Sequence, residues 1–434
     1  MIHAPIEKTV LENGLTIYSE NSPHFNSIAL GIWIRTGVID ESALNMGISH
    51  FIEHMNFKGT EKRNPFEIAN FLESNGGQIN AFTSRELTCF YVRILPEHLE
   101  QAIDLLNDII YHSIFPPDEI EKEKLIVLEE LRDVWDNPSE LAGDLFYETF
   151  FGDHPLGYQI LGSKETINSF TRNQLIEYRE KQYHPGNVVI SASGPVEHQR
   201  LIDLIYHYFQ PSMTSRPQTD SISTFSFTHQ AKSYLINTKL SQIHLCMGCP
   251  VMSYHDANKW ELILFNTLLG SGMSSILFQE IREKLGIAYS ITSFIDFYQH
   301  IGIWAIYWST EHKKLKPSFE KVQTLINSLG KEYPITQNQL DSAKNQLKSS
   351  LLMSQESVSN RMNRLAKNHI YYGRIIPIEE IIGHIDAINL EHLLHITQRL
   401  IIDKPMTITA VGHFKKIPDY LPEVTMQKMD SIIH

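Results

Sequence analysis

Blocks of apolar residues, separated by polar and glycine-containing turns, predict a mixture of strands and helices through the first half of the chain. Two short strands within residues 7–20 flank the hairpin signal Glu12-Asn13-Gly14, and residues 27–37 form an apolar run expected to be a buried strand. The remaining elements are expected to be helices over 47–58, 65–74, 96–112 and 119–135, a strand pair over 77–92, and a strand over 187–196 before a helix that ends near 209.

The second half of the chain follows a similar order. Its predicted elements are strands over 232–238 and 241–249, helices over 257–269 and 274–285, a strand pair over 286–297 and 302–309, helices after 311 and over 337–354, and a strand over 406–412. The segments NVVISASGPVEHQRL and MTITAVGHFKKIP stand near the ends of the two halves and are similar. This similarity favours duplication of a unit of roughly 210 residues.

The duplication predicts an α+β fold of two similar domains, each an antiparallel-rich sheet flanked by helices. Residues 210–230 are rich in Ser, Thr, Gln and Pro, as linkers are. We therefore expect a first domain over 1–210, a linker over 211–230 and a second domain over 231–434. The Cys246-Met247-Gly248-Cys249 segment lies in an apolar run predicted to be a strand, where residues three apart face opposite sides, so a structural role for both thiols is expected.

Composition and charge exclude several classes of protein. The 434 residues are 42% hydrophobic and 20% charged, with a net charge of −13 and no block of Lys or Arg, which argues against nucleic acid or an anionic membrane as a partner. No apolar stretch is long enough to span a bilayer. The start of the chain lacks the features of a secretory signal, and three cysteines suit a reducing compartment, so the cytoplasm is expected.

The strongest chemical signal is the sequence His50-Phe51-Ile52-Glu53-His54. On a helix, His50 and His54 lie one turn apart on the same face, where both imidazoles can bind one metal ion. Zinc favours such ligands and keeps one position open for water when it is catalytic, and Glu53 is placed to accept a proton from that water. The alternative is a pair of partly exposed histidines beside a solvated glutamate.

A third ligand is available on the predicted helix over 119–135. Glu123 and Glu130 are seven residues apart and share a face, whereas Glu129 is rotated by about 100° and points elsewhere. Glu130 as a ligand with Glu123 supporting a neighbouring ligand would complete the site. The alternative is an ordinary solvated acidic face.

These residues resemble the inverted zinc motif of the M16 (pitrilysin/insulinase) metallopeptidases, in particular mitochondrial processing peptidase β subunits and their bacterial relatives. The similarity covers nearly the whole chain and includes the segments NGGQINAFTSRE over 75–86, PLG over 155–157, GMSS over 272–275 and REKLGIAY over 282–289. The resemblance implies that His50, His54 and Glu130 bind one Zn²⁺ per chain, that Glu53 is the general base and that Glu123 supports the site.

The resemblance also implies how substrate is bound. Asn80, Ala81 and Phe82 would lie on an edge strand to which a peptide adds as a further strand. Arg282 and Tyr289 would bind the substrate carbonyl and stabilise the tetrahedral intermediate. In relatives these two residues come from the other half of a longer assembly, so a homodimer is expected in which they complete the zinc site of the opposite protomer.

Together these inferences predict a zinc-dependent endopeptidase that hydrolyses peptides or unfolded segments by attack of a zinc-bound water activated by Glu53. A non-catalytic scaffold or assembly subunit of the same fold is the main alternative. A binding module merely stabilised by zinc is a further one.

Overall fold

The computed structural model describes residues 5–209 and 226–429, which form two compact units. The first unit contains the described residues of Met1–Arg132, Tyr158–Thr224 and Met353–Ile375. The second contains those of Asp133–Gly157, Phe225–Leu352 and Ile376–His434. No helix in these described ranges is both long and apolar enough to cross a membrane.

Strands and helices are interspersed along the chain, with a run of helices in each half. Residues 5–209 form β1 (Ile6–Val10), β2 (Thr16–Asn21), β3 (Ile28–Ile34), α1 (Ile48–Met55), α2 (Pro65–Glu73), β4 (Gln78–Thr83), β5 (Thr88–Ile94), α3 (Leu99–Tyr111), α4 (Pro117–Asp136), α5 (Pro138–Phe151), α6 (Lys164–Ser169), α7 (Arg172–Gln182), β6 (Val188–Gly194) and α8 (His198–Phe209). Residues 226–429 form β7 (Ser233–Asn237), β8 (Gln242–Val251), α9 (Lys259–Gly270), β9 (Ser290–Phe297), β10 (Gly302–Glu311), α10 (Leu315–Ser328), α11 (Gln337–Ser354), α12 (Val358–Tyr372), α13 (Ile378–Ala387), α14 (Leu390–Leu400), β11 (Thr407–Gly412) and β12 (Val424–Lys428).

Each unit is built on a six-stranded sheet. The strand order is β1-β2-β6-β3-β5-β4 in the first sheet and β12-β7-β11-β8-β10-β9 in the second. Only β2 with β6, and β7 with β11 and β12, pair in parallel among the named strands. The last five strands in each order therefore correspond, from β2 and β7 to β4 and β9. Strand β6 is equivalent to β11, and these strands lie within the two similar segments. The predicted fold class, two similar antiparallel-rich domains with helices, is confirmed.

The division of the chain between the units differs from the prediction. Helix α5 packs on β8 and β11 in the second unit, although it comes from the first half of the chain. Helix α12 comes from the second half and packs on β2, β3 and β6 in the first unit. The predicted boundaries 1–210 and 231–434 are corrected for these two segments, because each helix covers a sheet that the other half of the chain supplies. Most of the predicted linker, residues 211–225, lies outside the described residues.

A glycine makes room for each of these two helices. A Cβ on Gly31 in β3 would lie 2.5 Å from the sulfur of Met362 in α12. One on Gly248 in β8, the equivalent strand, would lie 2.8 Å from the ring of Phe146 in α5. Because packed atoms do not approach so closely, a flat patch on each sheet is needed for helix and strand to come together. In each unit, a glycine on a strand thus leaves the space in which the exchanged helix packs.

Some local predictions also differ from the structure. The strand expected over 286–297 begins only at Ser290, so Tyr289 precedes it, and the helix expected over 274–285 contains a π-helical turn, Phe278–Glu283. The strand expected around Cys246 and Cys249 is present as β8, and both thiols are buried and unpaired.

Gly47, the residue before α1, has a conformation and a packing that exclude a side chain. Its φ is +88°, in the left-handed region, and a Cβ there would lie 2.6 Å from both Cα of Gly162 and the carbonyl oxygen of Leu161. These contacts are with backbone, which has little freedom to move away. Gly47 therefore fixes the point at which α1 begins.

We expect Gly47→Ala to lower the free energy of unfolding of the first unit by about 2–3 kcal/mol, from backbone strain plus the clash. Gly76→Ala is the matched control, because Gly76 has φ of +69° but open space around its Cβ position. Its cost should be about 1 kcal/mol, from strain alone. Urea unfolding followed by circular dichroism measures both, and equal midpoints for the two variants would contradict the packing argument.

Candidate metal centre

Helix α1 carries both histidines of the motif on one face. The ring centroids of His50 and His54 are 4.4 Å apart. Phe51, Ile52 and Met55 lie on the same helix and are fully buried, which anchors it against the core of the first unit. The apolar residues therefore determine the direction in which the two imidazoles point.

The N-terminus of α1 is held by a carboxylate that sequence analysis did not find. Glu41 is buried, and its two oxygens accept hydrogen bonds from the backbone N–H groups of Gly47 (2.7 Å) and Ser49 (2.9 Å). Burial raises the pKa of Glu41 to about 7 against the effect of these bonds. Because the first N–H groups of a helix have no partner within it, Glu41 satisfies donors that would otherwise be left unpaired.

Helix α4 brings Glu130 to the histidines. Its Oε2 lies 3.7 Å from Nε2 of His54 and 4.0 Å from Nε2 of His50. One ligand atom from each of these three residues can be chosen so that all lie within 4.8 Å of one another. Tetrahedral zinc with bonds of about 2.1 Å places neighbouring ligand atoms about 3.4 Å apart. Two imidazole nitrogens and one carboxylate oxygen at this spacing suit zinc.

Glu123, two turns before Glu130 on α4, orients His54. Its Oε1 accepts a hydrogen bond from Nδ1 of His54 at 2.8 Å, and its Oε2 lies 2.7 Å from Nζ of Lys58. Burial opposes ionisation of Glu123, but the bonds to His54 and Lys58 outweigh it and lower the pKa of the carboxyl. Burial likewise opposes protonation of His54, yet the bond to Glu123 and the charge of Glu130 raise the pKa of His54. With Nδ1 occupied, Nε2 is the nitrogen available to a metal.

His50 differs from His54 in its surroundings. Burial, with repulsion from His54, lowers the pKa of His50 to about 3. Its Nδ1 is buried and has no hydrogen-bond partner among the described residues. The neutral imidazole is the form that binds a metal.

Glu53 lies on the same helix, with 9% of its surface exposed. Oε2 of Glu53 accepts a hydrogen bond of 2.6 Å from the hydroxyl of Thr83 at the end of β4, the only such bond to Glu53 within the described parts of the chain. Burial raises the pKa of Glu53 despite this bond. A carboxylate of raised pKa with one free oxygen has the properties of a general base.

The strand with Asn80, Ala81 and Phe82 lies at the edge of the first sheet. Among the described strands, β4 pairs with β5 alone, and Thr83 at its end contacts Glu53. The backbone N–H of Ala81 donates to the side-chain oxygen of Asn80 at 2.8 Å instead of to another strand. The structure therefore places these three residues on a free edge next to the histidine helix.

Arg282 and Tyr289 lie in the second unit, unlike the histidines and Glu130. The guanidinium carbon of Arg282 is 6.0 Å from the ring centroid of Tyr289 and 4.6 Å from that of Phe278. Both Arg282 and Tyr289 are exposed. The structure brings the two residues close to each other, on an exposed part of the second unit.

Three residues that support the site were not predicted from the sequence. Glu41, Lys58 and Thr83 each act through a contact with a residue distant in sequence or across a loop, and none has a spacing that indicates it. Thr83 lies within the NAFTS segment, which was the only available signal for it. Glu129, the alternative to Glu130, points away as expected, since it is exposed and pairs with Arg132.

Comparison with known proteins identifies the family. Residues 16–164 match the family model described as "Insulinase (Peptidase family M16)", and residues 169–347 match "Peptidase M16 inactive domain". The chain is 37% identical over 395 residues to "Uncharacterized zinc protease YmxG" of Bacillus subtilis, covering 91% of this chain and 95% of that protein. The chain belongs to the M16 peptidase family.

A second relative is similar over most of the chain, and two solved structures have the same fold. An "Uncharacterized zinc protease" of Rickettsia felis is 35% identical, over 90% of this chain and 93% of its own. A protease from Helicobacter pylori has the same fold, with a TM-score of 0.86 and 20% identity, covering 94% of this chain and all of that one. A structure from Pseudomonas fluorescens described as a peptidase M16 inactive domain gives a TM-score of 0.87 at 20% identity, covering 94% and 98%.

We expect the charges on α4 to contribute unequally to zinc binding. Glu123→Gln should weaken zinc affinity roughly 10–100-fold, because it removes the carboxylate that orients His54. Glu130→Gln should weaken it more if Glu130 is itself a ligand, as the sequence predicts. Glu129→Gln is the matched control and should leave affinity unchanged. Competition with a chromophoric chelator measures all three, and equal affinities for the Glu129 and Glu130 variants would refute the ligand assignment.

Proposed function

We propose that this M16 protein is a zinc-dependent endopeptidase that holds one Zn²⁺ per chain through His50, His54 and Glu130. The observation that carries the proposal is the convergence of these three side chains from α1 and α4, with their ligand atoms within 4.8 Å. The zinc-protease names of its relatives support the same chemistry. A protein that served only as a scaffold would not need Glu53 beside such a site.

The reaction follows from the positions of the side chains. When bound, zinc acidifies water and polarises the peptide carbonyl. Glu53 accepts the proton of the attacking water and then delivers it to the nitrogen of the departing amine. Thr83 holds one oxygen of Glu53 by its hydrogen bond, and Glu123 holds His54 in the orientation that presents Nε2.

Substrate binding is assigned to the free edge of β4. An extended peptide would pair with the backbone of Asn80, Ala81 and Phe82, so that main-chain hydrogen bonds supply affinity with little demand on sequence. The contact between Thr83 and Glu53 supports this role, because it links the edge strand to the general base. Peptides and unfolded segments can adopt the extended form required.

Glu53→Gln should reduce peptide hydrolysis by about 10²–10⁴-fold while zinc remains bound, because it removes the proton acceptor and keeps the ligands. Hydrolysis of a quenched fluorescent peptide library, with metal content measured on the same samples, provides the test. Glu129→Gln serves as the control and should retain activity. Unchanged hydrolysis in Glu53→Gln would refute the mechanism, whereas absence of hydrolysis in the wild type would favour the non-catalytic scaffold.

We further propose that the protein acts as a homodimer in which Arg282 and Tyr289 of one protomer complete the zinc site of its partner. Their mutual proximity and exposure support a shared role in contacting a ligand from outside the second unit. In that role they would bind the substrate carbonyl and stabilise the tetrahedral intermediate. The buried, unpaired cysteines are compatible with the cytoplasmic location expected from the sequence, which stays a prediction.

Mixing Glu53→Gln chains with Arg282→Ala chains should restore activity that neither has alone. In a mixed dimer, intact Glu53 and intact Arg282 meet in one of the two sites, so random exchange should give about a quarter of the wild-type rate. The measurement is peptide hydrolysis after subunit exchange, with each variant alone as a control. Failure to restore activity, with mixed dimers demonstrated by mass spectrometry, would contradict completion across the dimer.

A further inference from the structure

A cavity of about 510 Å³ lies beside the free edge of β4, within the first unit. Strands β4 and β5 form one wall and helix α12 forms the other. Its lining includes Gln78, Asn80, Tyr91, Arg93, Met362 and Asn363. The cavity thus combines the proposed substrate strand with a helix supplied by the second half of the chain.

The pairing of β4 with β5 shows which side of the sheet the cavity occupies. Gln78 lies opposite Arg93 and Asn80 opposite Tyr91, and residues directly opposite each other share a face. Tyr91 in turn lies opposite Gly31, which packs against Met362 of α12. Thr83 is an odd number of positions from Gln78 and Asn80 on β4, and its side chain contacts Glu53. Since side chains alternate along a strand, Gln78 and Asn80 face α12 while Thr83 faces the metal centre.

A peptide added to the edge of β4 would alternate in the same way. Side chains beside Gln78 and Asn80 would project over the cavity, and the intervening ones would project toward α1. With a rise of about 3.3 Å per residue, Asn80 and Gln78 lie roughly 10 and 17 Å from Thr83 along the strand. The side chain that enters the cavity therefore belongs to a residue about two to five positions from the cleaved bond.

The charge of the cavity indicates what kind of side chain fits. Arg93 is the only charged residue that lines it, among the described residues, and its side chain is exposed. Its Nε donates to the hydroxyl of Ser27 at 3.3 Å, and no described carboxylate lies within 4 Å of the guanidinium. The other polar lining groups are amides, a phenol and a hydroxyl, all able to donate hydrogen bonds. A cation and neutral donors without an anion form a site for a carboxylate.

We propose that this cavity is a specificity pocket that binds an acidic side chain of the substrate through Arg93. The proposal rests on the proposed function, since it assumes a peptide paired with β4. It assigns α12 a role in substrate selection. It also predicts one acidic position in substrates of a protein whose own net charge is −13.

The test uses quenched fluorescent peptides built on one sequence that the wild type cleaves, selected from a library. Each position from about two to five residues on either side of the cut carries Glu, Gln or Lys in turn. At one of these positions we expect Glu to give a kcat/KM about fivefold above Gln, as a partly exposed ion pair would, with the difference in KM. Arg93→Gln should abolish this preference, and Arg93→Glu should reverse it in favour of Lys.

Arg200→Gln is the matched control, because Arg200 is an exposed arginine of the same unit on α8. It should keep the wild-type preference for Glu. A wild type without preference at any tested position, or a preference that persists in Arg93→Gln, would overturn the proposal.

Direct binding separates this proposal from the proposed function. Fluorescence anisotropy of labelled Glu, Gln and Lys versions of peptides from the same library should show the same order of affinity for the Glu53→Gln chain, and Arg93→Gln introduced into that chain should remove it. If no peptide is cleaved by the wild type but Arg93 still governs binding, the peptidase assignment fails and the pocket stands. If peptides are cleaved or bound with no effect of Arg93, the pocket fails alone.

Discussion

The candidate metal centre depends on the part-buried hydrogen bond between His54 on α1 and Glu123 on α4. This bond joins two helices that are about 70 residues apart in sequence and fixes which imidazole nitrogen faces Glu130. Lys58 neutralises the second oxygen of Glu123, so the buried carboxylate is paired on both sides. Without that pairing the buried charge of Glu123 would destabilise the fold. The two helices would also lose the polar interaction that joins them at this point.

The scaffold around this bond limits motion at both ends of α1. Glu41 accepts the first N–H groups of the helix, Gly47 permits a close approach to residues 161–162, and Thr83 holds Glu53 from the side of the sheet. Each contact involves a different segment of the first unit. In the proposed function Glu53 transfers a proton, and this restraint would favour the transfer because catalysis needs reacting groups held close to their working positions.

Local periodicity was sufficient to predict part of this arrangement. Helical spacing placed His50 and His54 on one face, and the rotation between successive residues distinguished Glu130 from Glu129, which the structure shows paired with Arg132 at the surface. Repetition of strands predicted the two similar sheets. The contacts of Lys58 and Thr83, and the helices exchanged between the units, could not be predicted in this way. They depend on which distant segments meet, and a spacing within one segment carries no information on that.

The exchanged helices, α5 and α12, allow one half of the chain to contribute residues to the sheet of the other half. The two sheets share the order of five strands, yet among the described residues the histidine helix is found in the first unit alone. The family model that matches residues 169–347 is described as an inactive domain. Helix α12 nevertheless carries residues from the second half of the chain to the first sheet, where Met362 occupies the space left by Gly31. Changes in α12 can therefore alter the surroundings of the edge strand without touching His50, His54 or Glu130. In the proposed function the ligands lie on α1 and α4 and the pocket wall lies on α12, so substrate preference and hydrolytic chemistry would vary independently.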